Sequence, residues 1–167
     1  MAENDKDLHV SWEAYHALIE ALVRKVHHSG WQFDAIVCLA RGGLRIGDVF
    51  SRVFDKPLGV LFTSSYRGAG GTQQGRLIIG EHLASSEPLP GTRWLVLDDL
   101  ADSGATLNAV LPALRERHPQ LTEVRSAVLW VKGIADARPD YFVEYLPSSP
   151  WIHQPFEVYD QVSAAQL

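Results

Sequence analysis

Hydrophobic and polar positions along the chain alternate between two periods. Trp12, Tyr15, Leu18, Ile19, Leu22, Val23 and Val26 recur three and four apart, one apolar stripe of a helix, with Ser11 as its N-cap and Ser29-Gly30 as its stop. Asp34 to Leu39 is a continuous apolar run of strand length, and Leu44, Ile46, Gly47, Val49, Phe50 and Val53 return to helical spacing. Short strands are expected at Leu58 to Thr63 and at Leu77 to Ile79. Between them lies a polar stretch holding Gly68, Gly70, Gly71 and Gly75. Glu87 to Gly91, with Pro88 and Pro90, is a turn into the apolar strand Trp94 to Leu97. Leu107, Val110, Leu111 and Leu114 form the next helical stripe, with Pro112 expected to kink it. Strands follow at Glu123 to Val131 and Tyr141 to Tyr145, and 147–156 is an aromatic, proline-rich segment. Strands separated by helical stripes read as α/β, and 167 residues as one domain over 1–167.

Composition changes this picture little. Hydrophobic residues make up 46% and charged residues 21%, as in ordinary globular domains. The net charge of -5 argues against nucleic acid as the main partner. The charge is unevenly spread. From Asp34 to Arg76, six basic residues (Arg41, Arg45, Arg52, Lys56, Arg67 and Arg76) face three acidic ones (Asp34, Asp48 and Asp55). An acidic chain with a basic stretch suits a small polyanionic substrate, although Arg52 and Lys56 fit a solvated helix face equally well. Cys38 is the sole cysteine, so no intrachain disulfide forms, as expected in a reducing compartment. Met1 to Asp7 is polar and acidic, unlike a signal peptide, and no apolar run approaches the ~20 residues of a membrane span. A cytoplasmic location is the expectation.

The chemistry concentrates where strand Trp94–Leu97 ends. Asp98 and Asp99 follow it, then Asp102, Ser103, Gly104, Ala105 and Thr106 open the next helix. The carboxyl end of a parallel strand is where α/β folds keep ligands, and a helix N-terminus with small residues is an anion site. Carboxylates for hydroxyls or a metal, beside an anion cradle, suit a phosphorylated sugar. Ala40-Arg41-Gly42-Gly43 is a second strand-to-helix turn whose glycines let backbone amides approach a ligand and whose Arg41 brings a forked donor. Read alone, it is better explained as a tight turn with a surface arginine. Glycines 42, 43 and 47 have the wrong spacing for a dinucleotide fingerprint, and Arg76-Leu77 replaces the Lys and Ser/Thr of a nucleotide P-loop. Lys132 stands at a strand exit, where a lysine is either solvated or part of a site.

Leu95 to Leu107 resembles the phosphoribosyl-pyrophosphate (PRPP) signature of the type I phosphoribosyltransferases: an apolar strand, two acidic residues, then Asp, Thr or Ser, Gly, any residue, Thr. Arg41-Gly42-Gly43 resembles that family's pyrophosphate loop, with Ala40–Arg41 as the candidate cis peptide. Ser65-Tyr66 resembles the start of its flexible loop, which folds over PRPP. Lys132, Asp140-Tyr141-Phe142-Val143 and Trp151-Ile152-His153-Gln154-Pro155-Phe156 resemble the bacterial xanthine-guanine enzymes, as does Ser11-Trp12. The departures are Gly133 for proline, Ser103 for threonine, Ala105 for glycine, and the tail after Phe156.

The resemblance implies transfer of 5-phosphoribosyl from PRPP to a 6-oxopurine (guanine, xanthine or hypoxanthine), with release of pyrophosphate, in purine salvage. PRPP would be held by Arg41, Gly42, Gly43, Ser65, Tyr66, Asp98, Asp99, Ser103, Gly104, Ala105 and Thr106. Asp102 would be the catalytic base for a purine ring proton. Lys132, Trp151 and Ile152 would bind the base. Mg2+ would sit at Asp98 and Asp99 through water or ribose hydroxyls. An α/β core with a mostly parallel central sheet flanked by helices, a small C-terminal hood, mainly 133–160, and a homo-oligomer (dimer or tetramer) are also implied. Two alternatives stay open: a PRPP-sensing regulator on the same fold, expected to carry a nucleic-acid-binding segment or basic face, and a transferase for another base. A receiver domain would need its acidic pair near the N-terminus and an aspartate after a later strand, neither of which is present.

Overall fold

The computed structural model describes residues 7–65 and 76–167, without the Ser65 side chain. A seven-stranded sheet forms the centre, in the order β4 (Leu77–Ala84), β3 (Leu58–Ser65), β2 (Ala35–Ala40), β5 (Arg93–Leu97), β7 (Glu123–Lys132), with β6 (Leu100–Ala101) and β8 (Tyr141–Leu146) both on β7. All pairings are parallel except β3–β4, so the sheet is mostly parallel, as expected. A separate parallel pair joins β1 (Asp7–His9) to β9 (Trp151–His153).

Strand parity splits the core in two. Ile36, Cys38, Leu95 and Leu97 face α1 (Trp12–His28) and α2 (Leu44–Phe54), packing on Tyr15, Ile19, Leu22, Ile46 and Phe50. Ala35, Val37, Leu39, Trp94 and Val96 face the other way, onto Leu107, Val110 and Leu114 of α3 (Ala105–Arg117). Both faces of β2 and β5 are covered, which is why these strands read as unbroken apolar runs rather than alternating ones. α1 starts where expected: Ser11 Oγ accepts from the Ala14 amide at 3.1 Å.

The differences from the sequence reading are local. α3 continues through Pro112, whose side of the helix is exposed while Leu107, Val110 and Leu114 are buried. Tertiary packing of that apolar face keeps the helix together despite the lost amide. β4 is longer than Leu77 to Ile79, because its antiparallel ladder with β3 runs on to Ala84. β1 and β9 were not anticipated as strands. Each is three residues long, too short for a period to register, and each exists through the other.

Candidate functional site

β2 and β5 are adjacent and parallel, so the loops that leave their carboxyl ends lie side by side. After Leu97 the chain does not quit the sheet. The Asp98 amide donates to Ala127 O at 3.2 Å, and Asp99 O accepts from the amides of Leu129 and Trp130 at 2.9 and 3.2 Å. The chain then rejoins β7 as β6. The acidic pair is therefore held by β7 on a rigid edge rather than on a free loop. Neighbouring residues on such a path point to opposite faces. Asp99 lies on the α1 and α2 side, beside Gly42, where a Cβ would come within 2.6 Å of its carboxyl carbon. Gly43 is as tightly held, since a Cβ there would meet Leu97 O at 2.5 Å. Two glycines are thus required for the Arg41–Gly43 turn to sit against the acidic pair. The Ala40–Arg41 peptide is cis. The Arg41 guanidinium is largely exposed and lies 3.6 Å from Asp160.

Burial, followed by the charge of Asp99, raises the Asp98 carboxyl well above its ordinary range. Its Oδ1 accepts from the Asp99 amide at 2.9 Å. The same physics acts on Tyr15 beneath the pair: burial and the Asp99 charge push its phenol above the usual tyrosine range. Its hydroxyl is buried with no hydrogen-bond partner among the described residues. Gln154 Nε2 donates to Asp99 Oδ2 at 2.5 Å, and Gln154 Oε1 is also buried without a partner. Two part-buried carboxyls with orphaned polar oxygens nearby form a hard-oxygen environment, compatible with Mg2+ bound through few carboxylates and many substrate or water oxygens. Among the described residues no group of three or more His, Cys, Asp or Glu forms a full protein cage.

The loop from Ala101 to α3 has the build of an anion cradle. Residues Leu100 to Leu107 line a cavity of about 70 Å³. Gly104 is the N-cap of α3 with φ +86°, a left-handed conformation, and a Cβ there would collide with the Ala137 backbone. Ser103 Oγ accepts from the Ala105 amide at 3.3 Å. Ala105 and Thr106 form the first turn, whose amides have no carbonyl of a preceding turn to bond. The helix dipole and the first-turn amides together favour an anion at this point.

β7 delivers Lys132 beside this cradle. Its side chain is 8% exposed, yet its Nζ lies 3.2 Å from Asp102 Oδ1. Nζ also lies 6.0 Å from the Trp151 ring centroid. Trp151 is 52% exposed, with one end on β9, and Ile152 is buried beneath. The next residue, Gly133, donates its amide to Leu146 O at 2.8 Å, and a Cβ on it would meet Pro147 O at 2.5 Å. A proline there would lose that bond between β7 and β8, which accounts physically for the glycine.

The structure thus brings together Arg41, Gly42, Gly43, Asp98 and Asp99 at one point. It brings Asp102, Ser103, Gly104, Ala105 and Thr106 together at a second, and Lys132, Asp102 and Trp151 at a third, whereas Ile152 is buried in the core on the α1 and α2 side. Ser65 ends β3. Its side chain, Tyr66 and the glycines of the loop lie outside the described residues. Sequence reasoning gave Tyr15 and Gln154 no role. Tyr15 was hidden as one more member of the α1 stripe, and Gln154 as one letter of an aromatic run.

Comparison with known proteins agrees with this geometry. The profile of the phosphoribosyl transferase domain family matches residues 11–161. The chain is 28% identical over 157 residues to the xanthine-guanine phosphoribosyltransferase of Idiomarina loihiensis, covering 93% of this chain and 90% of that protein. Among solved structures, the Helicobacter pylori xanthine-guanine-hypoxanthine phosphoribosyltransferase superposes with a TM-score of 0.76 at 29% identity, covering 93% of this chain and 96% of that one. A purine phosphoribosyltransferase from Pyrococcus horikoshii gives 0.71 at 26% identity, covering 90% and 93%.

Proposed function

The chain belongs to the phosphoribosyl transferase domain family, and from that membership we propose that it transfers 5-phosphoribosyl from PRPP to a 6-oxopurine, giving the nucleoside monophosphate and pyrophosphate. That it is a phosphoribosyltransferase follows from the family; the choice of base is the proposal. The observation that carries it is the Lys132–Asp102 pair, an ammonium donor and a carboxylate acceptor 3.2 Å apart beneath a half-exposed tryptophan. An ammonium only donates hydrogen bonds. It suits a 6-oxo oxygen and is mismatched with the 6-amino group of adenine. The adjacent carboxylate suits a ring N–H. An entering oxopurine satisfies both partners of the existing ion pair at once.

In this reading Asp98 and Asp99 accept hydrogen bonds from the ribose hydroxyls. Ser103, Gly104, Ala105 and Thr106 hold the 5-phosphate, and Arg41, Gly42 and Gly43 hold the pyrophosphate. Ser65 and Tyr66 are proposed to close over the donor. A bond forms between a purine ring nitrogen and the ribose C1 as the C1–oxygen bond to pyrophosphate breaks with its electron pair. Asp102 takes the ring proton, assistance of a kind typically worth about 10²–10⁴-fold. Positive charge grows on the sugar and negative charge on the leaving group, so fixed donors at the glycine turn lower the barrier by electrostatics. Mg2+, when bound through Asp98 and Asp99 by way of water or substrate oxygens, would add neutralising charge to the pyrophosphate.

The test is pyrophosphate release from PRPP and Mg2+ with guanine, xanthine, hypoxanthine, adenine, uracil and orotate in turn. Turnover confined to the oxopurines is expected. Turnover with adenine or a pyrimidine in their place overturns the assignment of the base.

A further inference from the structure

Gln154 follows the strand that carries Trp151 and Ile152, and its side chain is turned away from solvent. It is 8% exposed, and its amide reaches across to the carboxylate of Asp99. A buried glutamine is uncommon, and this one leaves Oε1 unpartnered among the described residues. Packing alone would be served better by an apolar residue of the same length. The amide is worth its burial only for the bond it makes, and a hydrogen bond to a charged acceptor is among the stronger ones.

Asp99 is the shared element of three parts of the site. Its carboxyl lies against Gly42 of the glycine turn, its charge acts on Tyr15 of α1, and one of its oxygens is taken by Gln154. We propose that Gln154 is a positioning residue: it holds one oxygen of Asp99, fixing the carboxylate so that the other oxygen is presented to the phosphoribosyl donor, and it ties β9 with its base-binding Trp151 and Ile152 to that same carboxylate. Donor site and base site then share one anchor, and loosening it weakens both. Without Gln154 the Asp99 side chain is free to rotate, and β9 keeps its pairing with β1 and the packing of Ile152 and Phe156 on the core but loses its tie to the acidic pair. The inference rests on the donor and base sites named under the proposed function. The charged and titratable groups around the amide are Asp98 and Asp99 on the β5–β6 edge, Tyr15 on α1 and Arg45 on α2.

The test compares wild-type protein with Gln154→Leu and Gln154→Glu. Calorimetric affinity for PRPP with Mg2+ is measured beside KM and kcat for the accepted base. Gln154→Leu keeps the volume and removes the donor. PRPP affinity is expected to fall about tenfold to a hundredfold, the scale of a hydrogen bond to a charged group, and KM for the base to rise with it. Thermal stability of the unliganded protein and kcat at saturation should change little. Gln154→Glu removes the donor and sets a second carboxyl against Asp99, so its PRPP affinity should fall at least as far as that of Gln154→Leu. Wild-type PRPP affinity in either variant, or loss of base binding with PRPP affinity intact, overturns the inference. If wild type binds PRPP but transfers it to a different base, the assignment of the base fails while the PRPP affinities still judge Gln154.

Discussion

Lys132 and Asp102 give the sharpest expectation at the scale of single residues. Replacing Lys132 by Gln removes a charged donor and introduces an amide that both donates and accepts. The kcat/KM for oxopurines should drop about tenfold to a hundredfold, the worth of a charge-assisted bond, while the ratio of adenine to oxopurine turnover rises. An unaltered base profile in steady-state kinetics would show that Lys132 only packs. Asp98 makes a different kind of prediction. Its folded-state value is raised by burial and then by Asp99, so folding takes up a proton. The stability tied to it is full below the unfolded value of about 4 and is lost as pH climbs through the raised folded value. Asp98→Asn keeps the acceptor for the Asp99 amide and has no charge to bury. In the absence of PRPP and metal, its melting temperature should exceed that of wild type by a few degrees at neutral pH, and the two should converge near pH 4. Thermal melts across that range check both the sign and the convergence.

At the scale of elements, the site is made by where strands end and helices begin. α3 starts from Gly104 in the left-handed region, a conformation a side chain resists, and its missing Cβ leaves room for the Ala137 backbone. Gly104→Ala should therefore cost about 1–3 kcal/mol from the backbone conformation and crowding. That corresponds to a fall in melting temperature of roughly 2–12 °C for a domain of this size. PRPP affinity should fall as well, because the first-turn amides move. A variant with wild-type stability and PRPP affinity would mean that the loop rearranges freely and is no cradle. The paired β1 and β9 show the same dependence on context. His9 stacks on His153 with centroids 4.3 Å apart and planes within 6°, and Asp7 Oδ1 lies 2.9 Å from His153 Nε2. Those contacts hold β9 at its outer edge, and the Gln154–Asp99 bond ties the residue after it to the acidic pair.

For the whole molecule, a parallel sheet covered on both faces places three strand exits at one edge: β2 with its glycine turn, β5 with its acidic pair, and β7 with Lys132. No helix among the described residues is long and apolar enough to cross a membrane. Much of this arrangement was legible in the chain itself. Unbroken apolar runs mark strands buried on both faces, the α1 and α2 stripes mark helices buried on one, and a local motif such as Leu95 to Leu107 carries its strand, loop and helix start within thirteen residues. Those features are set by short-range pattern, which a sequence displays directly. Other features depend on pairing between residues far apart. Asp7 to His9 becomes a strand only because Trp151 to His153 lies beside it, and Lys132 meets Asp102 only because β7 runs alongside β6. Gln154 reaches Asp99 across 55 residues of chain, and Gly133 is required by a carbonyl of β8. Neither partner of such a contact announces the other, because its energy appears only when the core has already brought them within reach. The sequence by itself therefore determined the layers, the strand ends and the chemical groups they carry. The tertiary structure decided which of those groups meet.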